Sequence, residues 1–445
     1  MKRTLPIFVV LLLAGTAFSA EVKTNFFPYP YEKVTLENGF SAYLIPVKGS
    51  GLVAYSSVVR TGGRDEWEPG MSGFAHFFEH MMFRGSKNYP APVYEQMVTY
   101  TGAIVSAHTR DDYTAYNLVF PSRYLPTIMT LESDRFRNLS YDESAFESEA
   151  GAVHAEYLKS RVNPYAVLHE EVLNLAFDVH PYKYPPIGFE KDIQRMRKEY
   201  GFSLSFFHRY YRPENIVLLM AGDFAPGLAR HLIERYYGGW KPGYVPPQIT
   251  PEPEQTEERF KEVAYDGKTL PIVWIAYKGD AFDPADKLIP AATLLGELAF
   301  GESSDTYEQL ILRERKVESL QAFFPFRRDP GLLSVYAQVK DEKDIPYARE
   351  AIDRTVEKFK STPVDPARLE DVKRHARYRF LMDLETPKSI VESLARFVAL
   401  TGTIEGVATL NASLERVTPA DILAAAARYF QKERRTVVVL KGARR

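Results

Sequence analysis

The fold of this chain is constrained most by a pattern of strands and helices that stops at a proline-rich stretch and then begins again. Residues 238–258 are rich in proline and poor in large aliphatic side chains, which is the composition of a linker between domains. We therefore expect an N-terminal lobe over residues 21–237 and a C-terminal lobe over residues 259–445. Both are predicted to be α+β, each a mixed or antiparallel sheet packed with helices.

The order of the elements supports two similar lobes, because strands and helices return after the linker in a comparable order. The predicted elements of the first lobe are a hairpin over 34–47, strands over 51–60, 116–120 and 216–221, and helices over 72–83, 125–137 and 144–161. Those of the second lobe are strands over 272–277, 332–339 and 436–440 and a helix over 284–300.

The two lobes also align as a diverged internal repeat. When Gly85 is placed on Gly301, the segment 75–80 falls on the segment 291–296. The first segment contains two histidines and a glutamate, and the second segment contains none of these residue types. The sequence thus predicts one lobe with a polar site and one lobe without it.

The N-terminus has the order of a secretory signal peptide, with two basic residues, an apolar run over 5–14 and then small residues. We expect residues 1–20 to be removed, with the cleaved bond after Ser19 or Ala20; an uncleaved anchor is the alternative. The apolar run is shorter than the roughly 20 residues of a spanning helix, so no stable membrane span is expected after processing. An exported chain without cysteine fits a bacterial periplasm.

Composition narrows the chemistry that is open to this chain. The 445 residues include no cysteine, which excludes disulfides, thiolate metal ligands and cysteine nucleophiles. A formal net charge of −2 gives no reason to expect nucleic acid as a partner. Any metal ion would have to be held by histidine and carboxylate side chains.

The segment 76–80 carries the strongest functional signal. On a helix, residues four apart lie on one face, so His76 and His80 can present both imidazoles to one metal ion. Glu79 lies near the same face but is offset, which suits a contact with water rather than with the metal. The order His-x-x-Glu-His is a known zinc motif, the inverse of the more common one. The alternative is a helix with two ordinary histidines and a surface glutamate.

A catalytic zinc usually has three protein ligands and one open position. The acidic segment 147–156 offers two candidates for the third ligand, Glu149 and Glu156, which are seven residues apart and therefore on one helix face. One of the two could bind the ion while the other orients a ligand histidine. The residues alone do not decide between them, and a solvated acidic face is the plain alternative.

Longer segments around these residues resemble the insulinase/pitrilysin-type zinc peptidases, in particular the short bacterial branch that is similar to mitochondrial processing peptidases. The resemblance covers most of the chain after residue 20 and is strongest in the first lobe. The matching stretches are 73–86, 154–156, 180–182, 186–188, 211–215 and 222–223.

The resemblance implies a role for each candidate residue. His76, His80 and Glu156 would bind one Zn²⁺ per chain, because the family's third ligand follows the second histidine at the spacing that separates His80 from Glu156. Glu149 would then be the acidic residue that orients a ligand histidine. Glu79 would be the general base, taking a proton from the attacking water and passing it to the leaving amine.

The resemblance also places substrate along residues 104–109. A peptide would add there as an extra strand, in contact with Ser106, Ala107 and His108, which would explain cleavage of extended peptides with loose sequence preference. Family members often have asparagine at the first of these three places. Serine here removes one amide that would face the substrate.

In the second lobe, the family usually has an arginine and, a few residues later, a tyrosine that reach the substrate. Arg313 is present and would take part in substrate binding, but the place of the tyrosine falls near Leu320. One interpretation is a shifted loop, with Tyr336 or another phenol in that role. The other is that a second chain supplies an intact arginine–tyrosine pair.

The sequence therefore predicts a zinc-dependent endopeptidase that hydrolyses short or unfolded peptides in the periplasm. The family's closed chamber has four lobes, so this chain would be half of a clam-shell. It would form a homodimer, or a heterodimer with a family subunit that lacks the zinc motif. Two alternatives belong to other classes: a non-catalytic structural or chaperone-like subunit of a peptidase-like complex, and a small-molecule metallohydrolase on another fold.

Overall fold

The computed structural model describes residues 26–443, and the predicted signal peptide over 1–20 lies outside this range. The first sheet has six strands: β1 (Glu32–Thr35), β2 (Ser41–Pro46), β3 (Leu52–Val59), β4 (Ile104–Thr109), β5 (Thr114–Pro121) and β6 (Ile216–Gly222). Their order across the sheet is β1-β2-β6-β3-β5-β4, so β4 is an edge strand. The pair β2–β6 is parallel, and every other pair in this sheet is antiparallel.

The second sheet has five strands: β7 (Arg259–Tyr265), β8 (Ile272–Lys278), β9 (Val317–Phe323), β10 (Leu332–Val339) and β11 (Arg435–Gly442). Their order is β7-β11-β8-β10-β9, with β7–β11 parallel and the other pairs antiparallel. Strand for strand, this repeats the order and directions of β2-β6-β3-β5-β4. The prediction of two homologous α+β lobes is confirmed.

Helices flank both sheets. Those of the first lobe are α1 (Phe74–Met81), α2 (Ala91–Thr101), α3 (Leu125–Asn138), α4 (Glu143–Ser160), α5 (Pro164–Ala176), α6 (Glu190–Met196), α7 (Tyr200–Tyr210) and α8 (Pro226–Tyr237). Those of the second lobe are α9 (Leu288–Phe300), α10 (Asp305–Tyr307), α11 (Ile345–Ser361), α12 (Pro366–Met382), α13 (Pro387–Thr401), α14 (Gly406–Glu415) and α15 (Pro419–Tyr429). Between residues 26 and 443, no single helix has the length and apolar composition to cross a membrane; the pair α13–α14, bent by 92°, meets both criteria only when joined.

The strands and helices named from the sequence are all present, with ends that differ by a few residues. Strand β4 was expected only from the resemblance, and two strands, β7 and β9, were missed altogether; both are edge strands with many exposed residues. In β9 the apolar residues Val317, Leu320 and Phe323 recur every third residue, so the alternation that marks a strand is absent. Residues 238–258 contain no helix or strand.

Each lobe contributes one helix to the sheet of the other. α13, which follows the linker, packs on one face of the first sheet through residues such as Leu394 and Val398. α5, which precedes the linker, packs on one face of the second sheet through residues such as Leu168 and Val172. The two lobes therefore share buried surface that belongs to both sheets.

The opposite face of the first sheet is covered by α1. Phe74, Phe77 and Phe78 of this helix are buried in the first core with side chains from β3, β5 and β6. Burial of these aromatic rings fixes which side of the helix faces the sheet. The polar residues of α1 are therefore directed away from that core, toward α4 and the edge strand β4.

Candidate metal centre

The helix α1 presents both histidines of the motif on one side. His76 and His80 are one turn apart, and their ring centroids are 4.8 Å from each other. The phenylalanines of α1 are buried on the opposite side of the helix. The two imidazoles are partly exposed, and they are accessible from solvent. This is the arrangement that the spacing of the motif predicts.

The helix α4 adds a carboxylate to this pair. Glu156 Oε2 lies 3.2 Å from His80 Nε2 and 3.8 Å from His76 Nε2. All three potential ligand atoms lie within 4.8 Å of one another. Two ligand atoms on a tetrahedral zinc ion, each bonded at about 2.0–2.1 Å, are about 3.3 Å apart. The donor types and their separations therefore fit a zinc ion with a fourth, open position.

Glu149, the other candidate for the third ligand, lies behind His80 instead. Its Oε1 is 2.9 Å from His80 Nδ1, and its Oε2 accepts a hydrogen bond from Arg84 Nε at 2.5 Å. Burial alone would raise the pKa of Glu149, but the hydrogen bonds from His80 and Arg84 outweigh it and hold that pKa below its ordinary value. A carboxylate on Nδ1 leaves the Nε2 atom of His80 to face Glu156 and the candidate metal position.

The two histidines differ in their affinity for a proton. Burial and the nearby charge of His80 lower the pKa of His76 to about 4, so His76 is a neutral imidazole at physiological pH. Hydrogen bonds to Glu149 and Glu156 raise the pKa of His80 to about 9. In the metal-free protein the imidazolium of His80 thus lies between the two carboxylates, with Nδ1 toward Glu149 and Nε2 toward Glu156, and a divalent cation would replace the proton on Nε2.

Glu79 lies beside the candidate ligands and is held by the neighbouring strand. Its Oε2 accepts a hydrogen bond from Thr109 Oγ1 at 2.7 Å, at the end of β4. Burial raises the pKa of Glu79 above its ordinary value, and the hydrogen bond from Thr109 offsets part of that rise. A carboxylate with one oxygen held and a raised pKa is suited to accept and release a proton.

The predicted substrate-binding residues of β4 lie on two faces of the strand. Ala107 packs with the core that includes α1, and Thr109 contacts Glu79. Because side chains alternate along a strand, Ser106 and His108 are directed to the opposite face. His108 Nε2 lies 3.4 Å from the hydroxyl of Tyr113. The side chains of Ser106 and His108 are therefore turned away from Glu79. Beside Glu79, β4 would contact a peptide through its backbone.

The second-lobe residues that the sequence singled out each have contacts of their own. Arg313 ends a π-helix over Glu308–Arg313, is largely exposed and donates to Glu308 Oε1 at 2.6 Å. Leu320 is buried in β9. Tyr336 packs against Trp274, with ring centroids 5.5 Å apart, and its hydroxyl donates to Gln321 in the next strand.

Sequence reasoning missed two groups that support the site. Arg84 lies in the matching stretch 73–86 and had no predicted role, although its place four residues after His80 in the sequence is a usable signal. Glu66 accepts hydrogen bonds from the backbone at the start of α1, at 2.7 Å from Gly73 N and 2.6 Å from Ala75 N. Its position seven residues before the N-cap Gly73 gives no signal that a sequence pattern could reveal.

A two-lobed α+β chain with a His-x-x-Glu-His helix in one lobe, and a glutamate brought to it from a second helix, has the architecture of the metallopeptidases with the inverted zinc motif. The chain belongs to the insulinase family, peptidase family M16. The family profile "Insulinase (Peptidase family M16)" matches residues 52–188, and the profile "Peptidase M16 inactive domain" matches residues 203–375. The second match begins in α7 and covers much of the lobe that lacks the motif.

Relatives agree with this assignment over almost the whole chain. The chain is 27% identical to the zinc protease PqqE of Helicobacter pylori, over 99% of each chain. It is 25% identical to the mitochondrial-processing peptidase subunit beta of Caenorhabditis elegans, over 86% of this chain and 84% of that one. The crystal structure of a protease from Helicobacter pylori superposes with a TM-score of 0.86 at 26% identity, covering 93% of this chain and 99% of the other. These names place the chain among zinc-protease-like proteins.

Proposed function

We propose that this chain is a zinc-dependent endopeptidase that hydrolyses short or unfolded peptides in the periplasm. One observation carries the proposal: His76, His80 and Glu156 converge in the geometry of a zinc site, with Glu149 behind His80. The supporting carboxylate matters, because an accidental group of three polar residues has no reason to include a buried partner for the second nitrogen of a histidine.

In this proposal His76, His80 and Glu156 hold one Zn²⁺ per chain. The ion and the neighbouring side chains then have separate roles in the reaction. When bound, the ion supplies Lewis acidity that polarises the scissile carbonyl and makes water more acidic. Glu79 accepts the proton of the attacking water and delivers it to the leaving amine nitrogen. Thr109 keeps one oxygen of Glu79 occupied, which directs the other oxygen to this proton transfer.

Substrate selection follows from the free edge of the first sheet. β4 is an edge strand and ends at Thr109, beside Glu79. An extended peptide added to this edge would bond mainly through its backbone, which favours unfolded chains and a loose sequence preference. Arg313 of the second lobe is proposed as a further contact to the peptide.

The proposal includes a second subunit and an exported location. The named relatives include a subunit of a processing peptidase, which supports an assembly of this chain with another. We propose a homodimer, or a heterodimer with a family subunit that lacks the zinc motif, as the closed form of the clam-shell. Export rests on the N-terminal segment, and detection of the chain in a periplasmic fraction, with an N-terminus near residue 20, tests it.

Separation of the roles of Glu79 and Glu156 tests the function directly. The full chain and its Glu79→Gln and Glu156→Gln variants are assayed for peptide hydrolysis and for bound zinc by mass spectrometry under native conditions. We expect Glu79→Gln to lose hydrolysis with about one zinc retained per chain, whereas Glu156→Gln loses zinc as well. Glu147 lies on the exposed side of α4 and has no contact with the histidines. The control variant Glu147→Gln should therefore retain both peptide hydrolysis and bound zinc.

The results also separate the alternatives. Zinc loss in Glu79→Gln with retention in Glu156→Gln would reverse the two roles. A wild-type chain that binds zinc but cleaves no peptide, alone or with a family partner, would support the non-catalytic subunit. Efficient cleavage inside the core of a stably folded protein would contradict a closed chamber that admits only unfolded chains.

A further inference from the structure

The N-terminus of α1, the helix that carries His76 and His80, has no side-chain cap from its own N-cap residue. α1 has only eight residues, and its N-cap is Gly73, which has no side chain to accept hydrogen bonds from the first turn. Short helices are marginal without outside support. Because α1 carries His76, Glu79 and His80 within five positions, a small rotation of this helix about its axis displaces all three.

Glu66 provides the missing cap from a preceding loop. Its carboxylate is 1% exposed and accepts from the backbone N–H groups of Gly73 and Ala75, the residue just before His76. Glu66 thus fixes the end of α1 that is nearest to the first ligand.

The residues directly before Glu66 are held by the other lobe. Arg64 Nε donates to Asp329 Oδ2 at 2.6 Å, and Arg64 Nη1 donates to Asp65 Oδ1 at 3.1 Å. Asp329 belongs to the loop 326–331 between β9 and β10, which we name the junction loop. Residues 64–66, which we name the capping segment, therefore connect the junction loop to the start of α1.

Asp329 reaches the same end of α1 by a second route. Its Oδ2 is 3.0 Å from Nε2 of the buried His180. The segment that starts at His180 ends at Gly188, where a Cβ atom would lie 2.8 Å from the backbone nitrogen of Gly73. Backbone packs on backbone at this point, so the position of the 180–188 segment determines where α1 begins.

The junction loop is itself firmly seated between the lobes. The guanidinium of Arg328 donates to the backbone carbonyl oxygens of Asp112 and Ala399, both at 2.9 Å, and of Arg60 at 3.2 Å. Several hydrogen bonds to backbone acceptors leave the loop little freedom to slide. A shift of the second lobe would therefore be passed to the carboxylate of Asp329.

We propose that Asp329, in the lobe without the zinc motif, is a positioning residue for the metal centre. It acts through the capping segment and the 180–188 segment on the N-terminus of α1, and so on the direction of His76 and His80. This inference deepens the proposed function and rests on it for the identity of the metal. The C-terminal lobe would thus help to position the metal centre of the N-terminal lobe, in addition to binding substrate.

A matched contact separates positioning from simple attachment of the lobes. Lys261 of β7 donates to Glu171 of α5, so this ion pair also crosses between the lobes. It ends on α5 and does not lead to α1. Glu171→Gln therefore removes one inter-lobe contact while the route from Asp329 to Glu66 is intact.

The first test uses the metal-free chain and does not depend on zinc. Amide hydrogen exchange is followed by mass spectrometry in peptides that cover α1, for wild type and for Asp329→Asn, Glu66→Gln and Glu171→Gln. We expect α1 to exchange about tenfold faster in the first two variants and unchanged in Glu171→Gln, with protection of α9 unchanged in all three. Equal exchange of α1 in wild type and Asp329→Asn would overturn the proposal.

The second test measures the metal centre itself. Zinc affinity is determined by chelator competition, and the visible absorption of the Co²⁺-substituted chain reports ligand geometry. We expect Asp329→Asn to weaken zinc binding by about tenfold and to change the cobalt spectrum, as loss of an outer support does at other zinc sites. The double variant Asp329→Asn with Glu66→Gln should weaken zinc binding by less than the sum of the two single effects, because both residues lie on the route through the capping segment, whereas the route through His180 does not include Glu66.

The two tests fail in different ways. If wild type binds no zinc, the proposed function is wrong, while the exchange experiment still judges the role of Asp329. If wild type binds zinc and Asp329→Asn leaves affinity, cobalt spectrum and α1 exchange unchanged, the proposed function stands and the positioning role is wrong. If Glu171→Gln loosens α1 as much as Asp329→Asn does, the effect is general contact between lobes and the proposal is also wrong.

Discussion

Within residues 26–443 the two lobes share one arrangement of five strands, yet only the first presents a group of candidate metal ligands. In the first lobe the N-cap of α1 is Gly73, with a left-handed φ of 95°, and the outer side of the helix carries His76, Glu79 and His80. In the second lobe the N-cap of the corresponding helix α9 is Lys287, with an ordinary helical φ of −74°. The scaffold alone therefore does not make a site.

The difference continues along the two helices. On the alignment of Gly85 with Gly301, the place of Glu79 is taken by the buried Leu295 and that of His80 by Gly296. A Cβ atom on Gly296 would lie 3.0 Å from the ring of Phe324, so the second lobe has filled the space that a ligand side chain would need. The comparison teaches that the site needs both polar residues and a dedicated support at the start of the helix.

The largest expected effect tests whether the second lobe can serve its own active site. Arg313 is exposed and paired with Glu308, and Tyr336 is bonded to Gln321, so no arginine–tyrosine pair is assembled from these residues. We expect the purified chain to bind zinc but to hydrolyse peptides slowly. A non-zinc family subunit with an intact pair should raise kcat/KM by about 10²–10³-fold, the value of a missing oxyanion donor.

The control for this experiment is the same partner subunit with its arginine and tyrosine changed to alanine and phenylalanine. That partner should still associate but give little activation. A homodimer of this chain whose peptidase turnover no partner improves would show that the heterodimer hypothesis is wrong.

The next effect concerns the start of α1, where the two lobes differ in backbone. Gly73→Ala introduces a Cβ atom 2.6 Å from the carbonyl oxygen of Ile187 at a positive φ. We expect a loss of about 2–3 kcal/mol in the free energy of unfolding, with weaker zinc binding, because the helix must shift. Urea unfolding and zinc titration measure the two effects.

Gly227→Ala is the matched control, since Gly227 lies in α8 with no atom within 4 Å of an added Cβ atom. It should leave stability unchanged or slightly raised. Equal stability of the Gly73→Ala and Gly227→Ala variants would mean that the close packing against Ile187 is unimportant.

A smaller effect comes from the carboxylate behind His80. Glu149→Ala removes the partner of His80 Nδ1, and we expect zinc affinity to fall by about 10–100-fold, or about 1.4–2.8 kcal/mol. Chelator competition measures it. Glu147→Ala, on the exposed side of the same helix, should bind zinc like wild type. Unchanged affinity in Glu149→Ala would contradict an orienting role for this residue.

The residues that the sequence predicted best are those whose geometry is local. His76, Glu79 and His80 lie within five positions of one helix, so helical spacing alone brings them together. The same helical spacing limited the candidates for the third ligand on α4 to Glu149 and Glu156. Which of them faces the metal depended on how α4 packs against α1, and there the family resemblance was needed.

Long-range contacts could not be predicted in this way. Arg64 and Asp329 are 265 positions apart, and their hydrogen bond depends on how the lobes pack. The exchange of α5 and α13 between the sheets is likewise a property of the whole fold. The turn of Ser106 and His108 away from Glu79 also depends on which face of β4 lies against α1, as the contact of Thr109 with Glu79 shows.

The smallest expected effect concerns a buried lysine that only the second sheet has. Lys278 ends β8 opposite Leu332, the first residue of β10, and Val59 has the corresponding place in the first sheet, opposite Thr114. The ammonium of Lys278 is 3.5 Å from Glu252 Oε1 and 3.9 Å from the ring centroid of Phe177. The lysine thus joins the linker and the first lobe to the second sheet.

Burial lowers the pKa of Lys278 from 10.5 to about 8, although Glu252 acts in the opposite direction. Between these pH values the unfolded chain keeps a proton that the folded chain has released, so the free energy of unfolding rises with pH. From pH 7.5 to pH 9.5 we expect this lysine to add on the order of 2 kcal/mol to the stability of wild type, a rise that Lys278→Met lacks. Urea unfolding followed by tryptophan fluorescence at both pH values measures the difference. The control is Lys261→Met, which replaces the exposed lysine that pairs with Glu171, and this variant should behave like wild type. A Lys278→Met variant with the same rise as wild type would show that the burial of this charge has no cost, and the second sheet would then tolerate a lysine where the first has valine.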